Sequence, residues 1–423
     1  MAIESGVLVV GGGLAGLTAA LAATEAGADT RLVSYKQSTL RQATGLIDVL
    51  GYRDGETVVE PLDAIPDLHP DHPYRVVGTG AVRSGLDLFD DAVDGYYGSH
   101  GNANALVPTH GGTVKPTARY PASTAAGLAS DDRDALLVGF ETLVDFDAPM
   151  AADHLAAAGV PFRVEGVTVP FPGDLRPDAK VTRYAHLLDA NEDVTHEGDR
   201  RGAREALAER VKPHLGGHER VGFPAVLGDD DPAGVRATLE RELGADVFEV
   251  PMGPPSLPGL RLGERLFDAL DRAGARIETG NPVVGYGGGD AVEHVLVERN
   301  GAEVPYAASQ FVLATGGLVG KGVESDRGGV REPVFDCHVP HPDDRYDWFE
   351  DGVFDDHPFA RFGVAPDDDL RPTDAGGDPE FSNLRAAGSV LGGYDFAAEL
   401  SGSGVSIATG YAAGTAAATE APQ

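Results

Sequence analysis

Three glycines near the start of the chain have the spacing of a phosphate-binding turn. Gly11, Gly13 and Gly16 stand in G-x-G-x-x-G register. In such a turn the first glycine permits a tight bend, the second lets the backbone approach a pyrophosphate, and the third lets a helix pack on the preceding strand. The free N–H groups at the start of that helix then face the anion. The pattern indicates a nucleotide site.

The residues around this turn predict the strand and helices that must position it. Val7–Val10 is a short apolar run typical of a buried parallel strand, and Leu17–Ala26 has the Ala- and Leu-rich composition of a helix. Gly27 is placed to end that helix, and Thr30–Ser34 reads as a second strand. A glycine motif alone is weak evidence, but a complete β-α-β unit around it is strong evidence.

The end of the second predicted strand lacks a residue that dinucleotide sites usually have. An acidic side chain about 20 residues after the glycines normally binds the adenosine ribose. Here Ser34 stands at that place, and Lys36, two residues later, is able to contact a phosphate. We therefore expect weak adenosine recognition with intact phosphate recognition, which fits FMN or a weakly held FAD.

Two further segments predict the rest of a flavin domain. Around Asn300–Gly301 the sequence indicates a hairpin, and Phe311–Ala314 reads as a buried strand followed by Thr315 and Gly316, where bare backbone allows close approach to a cofactor. Near the C-terminus, Leu384–Gly388 reads as a strand. A Gly-rich helix start follows, with Gly404 and Val405 near its first turn and Ser401 or Ser403 as its cap.

Composition restricts the class of protein. The 423 residues include 67 acids and 33 bases, for a formal net charge of −34, and the acids are spread along the chain. Such self-repulsion is tolerable where concentrated salt screens it, so we expect a high-salt cytoplasm. Nucleic acids and anionic lipids are poor direct partners. We expect neither a signal peptide nor a membrane span, and Cys337, the only cysteine, cannot hold an iron–sulfur cluster alone.

Several motifs together resemble one family. The segments "GGGLAGL", "QSTLRQATGLIDVLG", "VREPVFD", "FGVAPDDDLRP" and "NLRAAGSVLGGYD" are similar to those of the B subunit of the anaerobic glycerol-3-phosphate dehydrogenase, in a haloarchaeal-type member. The likeness covers both ends and much of the C-terminal third, and it is loose over residues 100–255. "RQATGLID" departs from a more Ser-rich family version, although Thr44 and Gly45 remain candidates for flavin contact.

The resemblance implies a role within a complex. In that family an A subunit carries FAD, a C subunit carries iron–sulfur clusters and docks to the membrane, and the B subunit is associated with FMN. Together they oxidise sn-glycerol 3-phosphate to dihydroxyacetone phosphate and send electrons to quinone. For this chain the resemblance implies noncovalent FMN, with FAD as the alternative, and a cytoplasmic location with peripheral membrane attachment through the partner subunit.

A phosphate monoester as substrate calls for arginine, because the guanidinium matches phosphate bidentately. Arg331, Arg361 and Arg371 are the candidates, and an ion pair with Asp367–Asp369 is an equally good explanation of Arg371. The histidines of "CHVPH" are too interrupted by proline to predict a metal site, so we expect none.

The expected fold class is α/β, a two-dinucleotide-binding, Rossmann-like flavoprotein fold with an inserted cap domain. Residues 1–50, 258–336 and 360–423 are expected to form the flavin-binding domain, 51–257 the cap for substrate or subunit contact, and 337–359 a loop insertion. Two other functions stay open: a stand-alone FAD dehydrogenase or reductase of the fumarate-reductase type, and a flavin-free assembly subunit.

Overall fold

A computed structural model describes residues 3–35, 39–98, 102–196 and 198–422. The strands are β1 (Ile3–Val10), β2 (Thr30–Ser34), β3 (Tyr52–Arg53), β4 (Glu56–Thr57), β5 (Tyr96–Gly98), β6 (Ala105–Pro108), β7 (Val114–Thr117), β8 (Arg119–Pro121), β9 (Ala135–Phe140), β10 (Val164–Val169), β11 (Asp193–His196), β12 (Asp199–Gly202), β13 (Arg220–Pro224), β14 (Asp246–Val250), β15 (Arg276–Thr279), β16 (Val283–Gly288), β17 (Val292–Arg299), β18 (Ala302–Leu313), β19 (Glu324–Ser325), β20 (Val330–Arg331) and β21 (Leu384–Ala386). The α-helices are α1 (Leu14–Glu25), α2 (Pro61–Ala64), α3 (Pro73–Ala92), α4 (Ala148–Ala157), α5 (Val181–Asp189), α6 (Ala203–Val211), α7 (Pro232–Leu243), α8 (Leu257–Ala273), α9 (Phe396–Glu399) and α10 (Gly402–Glu420).

The predicted β-α-β unit at the N-terminus is confirmed. β1 and β2 pair in parallel, and both Val7–Val10 and all of β2 are buried. Val7–Val10 carries apolar, mostly β-branched side chains, whereas β2 buries Thr30, Arg31 and Ser34 beside its apolar Leu32 and Val33. Helix α1 starts at Leu14, three residues before the predicted start, and its first ten residues are buried. Gly27 follows the helix end with a φ of +92°, the left-handed conformation expected after a C-cap.

A seven-stranded sheet organises the larger of two compact units. Its strand order is β15-β2-β1-β18-β17-β16, with β21 also paired to β18. The pairs β2–β15, β1–β2, β1–β18 and β18–β21 are parallel, whereas β16–β17 and β17–β18 are antiparallel. Asn300 and Gly301 form the β17–β18 turn with positive φ, as the hairpin signal predicts. The sheet thereby joins all three segments that the sequence assigns to one α/β domain.

The chain divides into two compact units at boundaries other than the expected ones. Unit 1 comprises residues 1–39, 48–94 and 264–423, and unit 2 comprises residues 40–47 and 95–263. Residues 51–94, predicted for the inserted cap, lie in unit 1, because α3 packs on α10 with Gly85 against the side chain of Ile407. The predicted loop insertion, 337–359, also belongs to unit 1.

Unit 2 has a doubly wound sheet of its own. Four parallel strands have the order β10-β9-β13-β14. Helix α4 connects β9 to β10, and α7 connects β13 to β14. Phe140 and Phe223 pack against each other with ring centroids 6.2 Å apart, inside a core built from these strands and helices. The second domain is therefore a complete α/β layer structure in itself.

A fully buried ion pair lies in unit 2. Arg261 donates to both carboxylate oxygens of Glu249 at 2.7 and 3.0 Å, and the same carboxylate accepts the Leu227 N–H at 2.8 Å. Burial alone raises the pKa of Glu249, but the charge and hydrogen bonds of Arg261 outweigh burial and lower it. Such a pair holds the end of β14 against the loop after β13.

The described helices contain no segment that is both long and apolar enough to cross a membrane.

Candidate functional site

The glycine turn has the geometry that its spacing predicts. Gly11 has a φ of +118°, which only glycine adopts readily, and its backbone lies directly against the Ala314 carbonyl at the end of β18. At Gly16, a Cβ would overlap the carbonyl oxygen of Gly11. The turn therefore has no room for side chains at either position, and α1 starts in close contact with it.

The N-terminus of α1 has no side-chain cap. Gly13 is the N-cap in an extended conformation. The first intrahelical bond runs from Leu17 N–H to the Gly13 carbonyl at 2.9 Å, so the preceding N–H groups have no partner within the helix. These N–H groups are the donors that a phosphoryl group would accept from.

Ser34 lies beside the glycine turn at the end of β2. It is buried, and a Cβ on Gly12 would stand 2.7 Å from its Oγ. This is the place at which dinucleotide sites carry the ribose-binding acid. Lys36, the predicted phosphate contact, lies outside the described residues.

The segment after β18 supplies an unsatisfied buried hydroxyl. The Oγ1 of Thr315 is buried and has no hydrogen-bond partner among the described residues. Gly316 follows with a φ of +94°, and Gly317 N–H donates to the Ser389 Oγ at 3.1 Å. Because an orphaned buried hydroxyl costs free energy, Thr315 is a natural donor to a bound group. The residues present at this turn therefore fit a flavin cofactor.

The third predicted segment meets the same turn. A Cβ on Gly388 would stand 2.5 Å from the Cβ of Ala15 in the first turn of α1. Gly388 N–H donates to the Thr409 Oγ1 at 2.9 Å, which ties this segment to α10. Gly11, Gly13, Gly16, Ser34, Thr315, Gly316 and Gly388 therefore form one cluster in unit 1, which we call the glycine cluster.

At the start of α10, Gly404 and Val405, both predicted flavin contacts, already donate their N–H groups to protein carbonyls. Gly404 N–H donates to the Asp48 carbonyl at 2.8 Å, and Val405 N–H donates to the Ser401 carbonyl at 2.9 Å. Ser401 is the N-cap, as expected for one of two serines, but its side chain does not cap the helix. Instead, Ser403 Oγ accepts from the Asp48 N–H at 2.9 Å. These bonds hold the segment after β2 against the helix start.

A buried polar cluster at this helix start has no counterpart among the sequence predictions. His72 Nδ1 accepts the Tyr74 N–H at 3.0 Å, so its Nε2–H donates to Glu399, 3.0 Å away. Ser401 Oγ donates to the same carboxylate oxygen at 2.8 Å, and Tyr74 OH donates to the Val49 carbonyl. In the sequence, the only indication of this cluster is the stretch "HPDHPYR", whose spacing matches no known catalytic or ligand-binding pattern.

Thr44 and Gly45 belong to unit 2. Thr44 Oγ1 accepts the Leu46 N–H at 3.4 Å, and the Gly45 carbonyl accepts from Tyr96 OH at 2.7 Å. A Cβ on Gly45 would stand 2.6 Å from the Cβ of Pro258. Their contacts within this unit are structural.

Each of the three candidate arginines is paired with a carboxylate. Arg331 stands 3.3 Å from Glu324, Arg361 stands 2.6 Å from Asp356, and Arg371 stands 2.8 Å from Asp367. Among the described residues the three arginines pair with three different carboxylates and share none of these. Arg371 donates through Nε and Nη2 to one oxygen of Asp367. Arg371 therefore forms the ion pair that the sequence suggests as the alternative to binding a substrate phosphate.

One of these arginines lines a polar pocket close to the glycine cluster in the chain. Lys321 and Arg331 are among the residues around a pocket of about 300 Å³, together with the acids Glu324 and Asp326. The loop that carries Lys321 returns to the end of β18, where a Cβ on Gly322 would overlap the Gly316 carbonyl. Two cations thus stand in one pocket of unit 1.

The "CHVPH" histidines serve the loop itself. His341 Nδ1 donates to the Val339 carbonyl at 2.7 Å, and its Nε2 accepts the Val330 N–H at 3.4 Å. The described residues contain no group of three or more His, Cys, Asp or Glu side chains placed to bind a metal ion. The neighbouring Glu332 is fully buried and accepts the Val334 and Phe335 N–H groups.

The family comparison agrees with this site. A protein-family model described as "FAD binding domain" matches residues 6–405 of the chain. The match includes the whole glycine cluster. The fold and the site together define a flavoprotein of the FAD-binding class, whose cofactor is a flavin.

Curated relatives narrow the class. The chain is 68% identical to a probable B subunit of the anaerobic glycerol-3-phosphate dehydrogenase of Halobacterium salinarum, over 99% of each chain. It is 31% identical to the B subunit of the same enzyme of Pectobacterium atrosepticum, over 95% of each, and 30% identical to that of Vibrio cholerae, over 96% of this chain and 94% of the relative. The chain therefore belongs to the family of anaerobic glycerol-3-phosphate dehydrogenase B subunits, which the sequence motifs predict.

Proposed function

We propose that this chain is the flavin-binding B subunit of an anaerobic sn-glycerol-3-phosphate dehydrogenase. The complex oxidises glycerol 3-phosphate to dihydroxyacetone phosphate and passes electrons to quinone through an iron–sulfur subunit. The observation that carries the proposal is the uncapped N-terminus of α1 behind Gly11 and Gly13, in a chain that matches its relatives from end to end. A lone, buried Cys337 supports placing the clusters in another subunit.

The cofactor that we propose is FAD, bound noncovalently and held weakly at its adenosine end. The match to an FAD-binding family favours FAD over FMN. Ser34 at the ribose position supports the weak adenosine grip, because a serine offers one neutral hydrogen bond where an acid offers two charged acceptors. FMN, the cofactor favoured by Ser34 alone, is the competing outcome of the same experiment.

The chain's own residues would bind and orient that cofactor. A bound flavin supplies the two-electron chemistry, while the protein supplies position and electrostatics. N–H groups in the first turn of α1 would donate to its phosphoryl oxygens. Thr315 Oγ1 would donate a hydrogen bond, which would satisfy its own buried hydroxyl. Gly404 and Val405 remain proposed cofactor contacts through atoms other than their N–H groups.

We place the substrate phosphate with Arg331 rather than Arg371. Arg331 shares a pocket with Lys321, and its ion pair with Glu324 is exposed and therefore weak. Arg371 would have to release Asp367, and the hydrogen bond between them raises the pKa of Arg371. Arg361 has its own exposed acid, Asp356, and is the third candidate. Arg331→Ala should raise KM for glycerol 3-phosphate more than Arg371→Ala does.

The partners that we propose are an FAD-containing A subunit and an iron–sulfur C subunit. The relatives are each named as one subunit of an enzyme, which supports a multi-subunit complex. Attachment to the membrane would be peripheral and cytoplasmic, through the C subunit.

The test is the absorbance spectrum of the chain purified in molar KCl, followed by chromatography of the flavin released on denaturation. A yellow protein that releases FAD supports the proposal, and release of FMN overturns the cofactor but keeps the function. A colourless chain that binds neither flavin would be an assembly subunit. Glycerol 3-phosphate should reduce the flavin in the complex, and turnover by the isolated chain would favour a stand-alone dehydrogenase.

A further inference from the structure

A groove lined by aromatic side chains opens on unit 1 beside the pocket of Lys321 and Arg331, with which it shares Leu318 and Ser325. Its volume is about 580 Å³, and Tyr346, Trp348, Phe349, Phe359 and Phe362 are among its lining residues. All five come from the segment predicted as a loop insertion and from the residues directly after it. The proposed redox site uses none of these side chains.

The floor of the groove is rigid. Trp348 is only 9% exposed, and its Nε1–H donates to the Pro342 carbonyl at 2.7 Å. Its ring meets Phe362 edge-on at 5.7 Å, and the guanidinium of Arg345 lies over it at 5.4 Å. Because these contacts already order the floor of the groove, a side chain that inserts there binds without the entropic cost of ordering it.

The walls expose large apolar side chains to water. Tyr346 is 82% exposed and Phe349 is 50% exposed. In the adjoining loop Val353 is 82% exposed and Phe354 is fully exposed. Clustered exposure of this kind marks interaction surfaces, whereas scattered single residues do not.

His357 holds the exposed loop beside the groove. Its ring stacks on Phe359 at 5.2 Å. Its Nδ1 accepts the Glu350 N–H at 3.0 Å, and its Nε2 lies 3.2 Å from the Val353 carbonyl oxygen. Groove and loop are therefore one surface, which we call the aromatic face (residues 345–362).

Acidic residues surround the aromatic face. Residues 343–356 contain seven acids and one arginine. Among the described residues, no lysine or arginine pairs with the exposed Asp343, Asp347, Glu350 or Asp351. A partner that covers this face must bring apolar side chains ringed by lysine or arginine, because buried unpaired carboxylates are costly.

We propose that the aromatic face docks another subunit of the complex, through an apolar anchor residue flanked by basic residues. This inference rests on the proposed function in one respect, which is that the partner is taken to be another subunit of the same enzyme complex. A second copy of this chain would bring two acidic rims together, and an anionic lipid surface would be repelled. A small ligand inside the groove would leave Phe354 in water.

The experiment compares two double variants of the full chain, each purified without its partner subunits. Phe349→Ser/Phe354→Ser alters the aromatic face, and Val144→Ser/Met150→Ser removes exposed apolar side chains of unit 2 as a matched control. Dissociation constants are measured by surface plasmon resonance with the purified A and C subunits. We expect the face variant to bind at least about tenfold more weakly than the control while it retains its flavin.

Equal affinity of the face variant and the control would overturn the proposal. So would light scattering that shows a wild-type dimer and a face-variant monomer, because a second copy would then cover the face. If the face variant loses its flavin, the charge-reversal variant Asp347→Lys/Asp351→Lys is used instead. Both acids are exposed and pair with no base in the described part of the chain. Unchanged affinity of this variant for the partner subunits would contradict the proposal. A chain that binds its partners through this face but oxidises no glycerol 3-phosphate would refute only the proposed function.

Discussion

Replacement of Gly16 by alanine should weaken both stability and flavin binding, whereas the same replacement at Gly80 should stabilise the protein. Both residues lie near the start of a helical segment: Gly16 is the third residue of α1, and Gly80 stands two residues after the break that Gly78 makes in α3 with a φ of +74°. Alanine is intrinsically better than glycine in a helix by up to about 0.5–1 kcal/mol. They differ in the space around them. An added Cβ overlaps the Gly11 carbonyl oxygen at Gly16 but meets no atom within 4 Å at the exposed Gly80.

The overlap sets the size of the effect. Overpacking of a close contact costs about 1–3 kcal/mol, so Gly16→Ala should lose up to about 2.5 kcal/mol after the helix gain, and Gly80→Ala should gain up to about 0.5–1 kcal/mol. Relief of the overlap requires the Gly11 carbonyl to move, and the phosphate turn moves with it. Flavin affinity should therefore fall by roughly tenfold or more in Gly16→Ala and stay unchanged in Gly80→Ala.

Two measurements separate these effects. Chemical denaturation of the flavin-free proteins in molar KCl gives the free energies of unfolding, and titration monitored by flavin fluorescence gives the affinities. Stability changes of the same sign at both positions would refute the packing argument. Wild-type flavin affinity in a destabilised Gly16→Ala protein would show that the turn does not contact the cofactor.

Three further outcomes are expected. Burial raises the pKa of Glu332 from 4.5 to about 7. The protonated side chain therefore adds to the free energy of unfolding below pH 4.5, and this stabilisation is lost as the pH rises to 7. The loss of about 3 kcal/mol should be absent in Glu332→Gln when unfolding is measured across this pH range. Arg261→Ala leaves Glu249 buried and unpaired and should cost about 3–5 kcal/mol in denaturant titrations, whereas Arg163→Ala, which breaks an exposed pair, should cost about 1 kcal/mol or less. The thermal midpoint should rise with KCl concentration because salt screens a net charge of −34, and a salt-independent midpoint would contradict this.

Local sequence patterns predicted the elements around the glycine turn closely. Strand β2 begins and ends at the predicted residues, and the β17–β18 hairpin turns at Asn300–Gly301. In both places, short local patterns specify the backbone without help from distant parts of the chain. The backbone geometry of Gly11 and Gly16 was predictable for the same reason.

Long-range packing was not predictable in this way. Helix α3 lies in unit 1 because Gly85 fits against Ile407, more than 300 residues later in the chain. The pairing of strands into the parallel sheet of unit 2 could not be predicted either, although "ALLVGF" and "RVGFP" are largely apolar segments typical of buried strands. Periodicity identifies such strands but not their neighbours.

The start of α1 should bind the phosphoryl end of a flavin. A crystal structure of the chain grown with FAD in molar KCl would show whether it does. We expect phosphoryl oxygens within hydrogen-bond distance of the N–H groups that follow Gly13, with Thr315 Oγ1 as a further donor. A flavin bound elsewhere, or a turn that holds no anion at saturating FAD, would contradict the account.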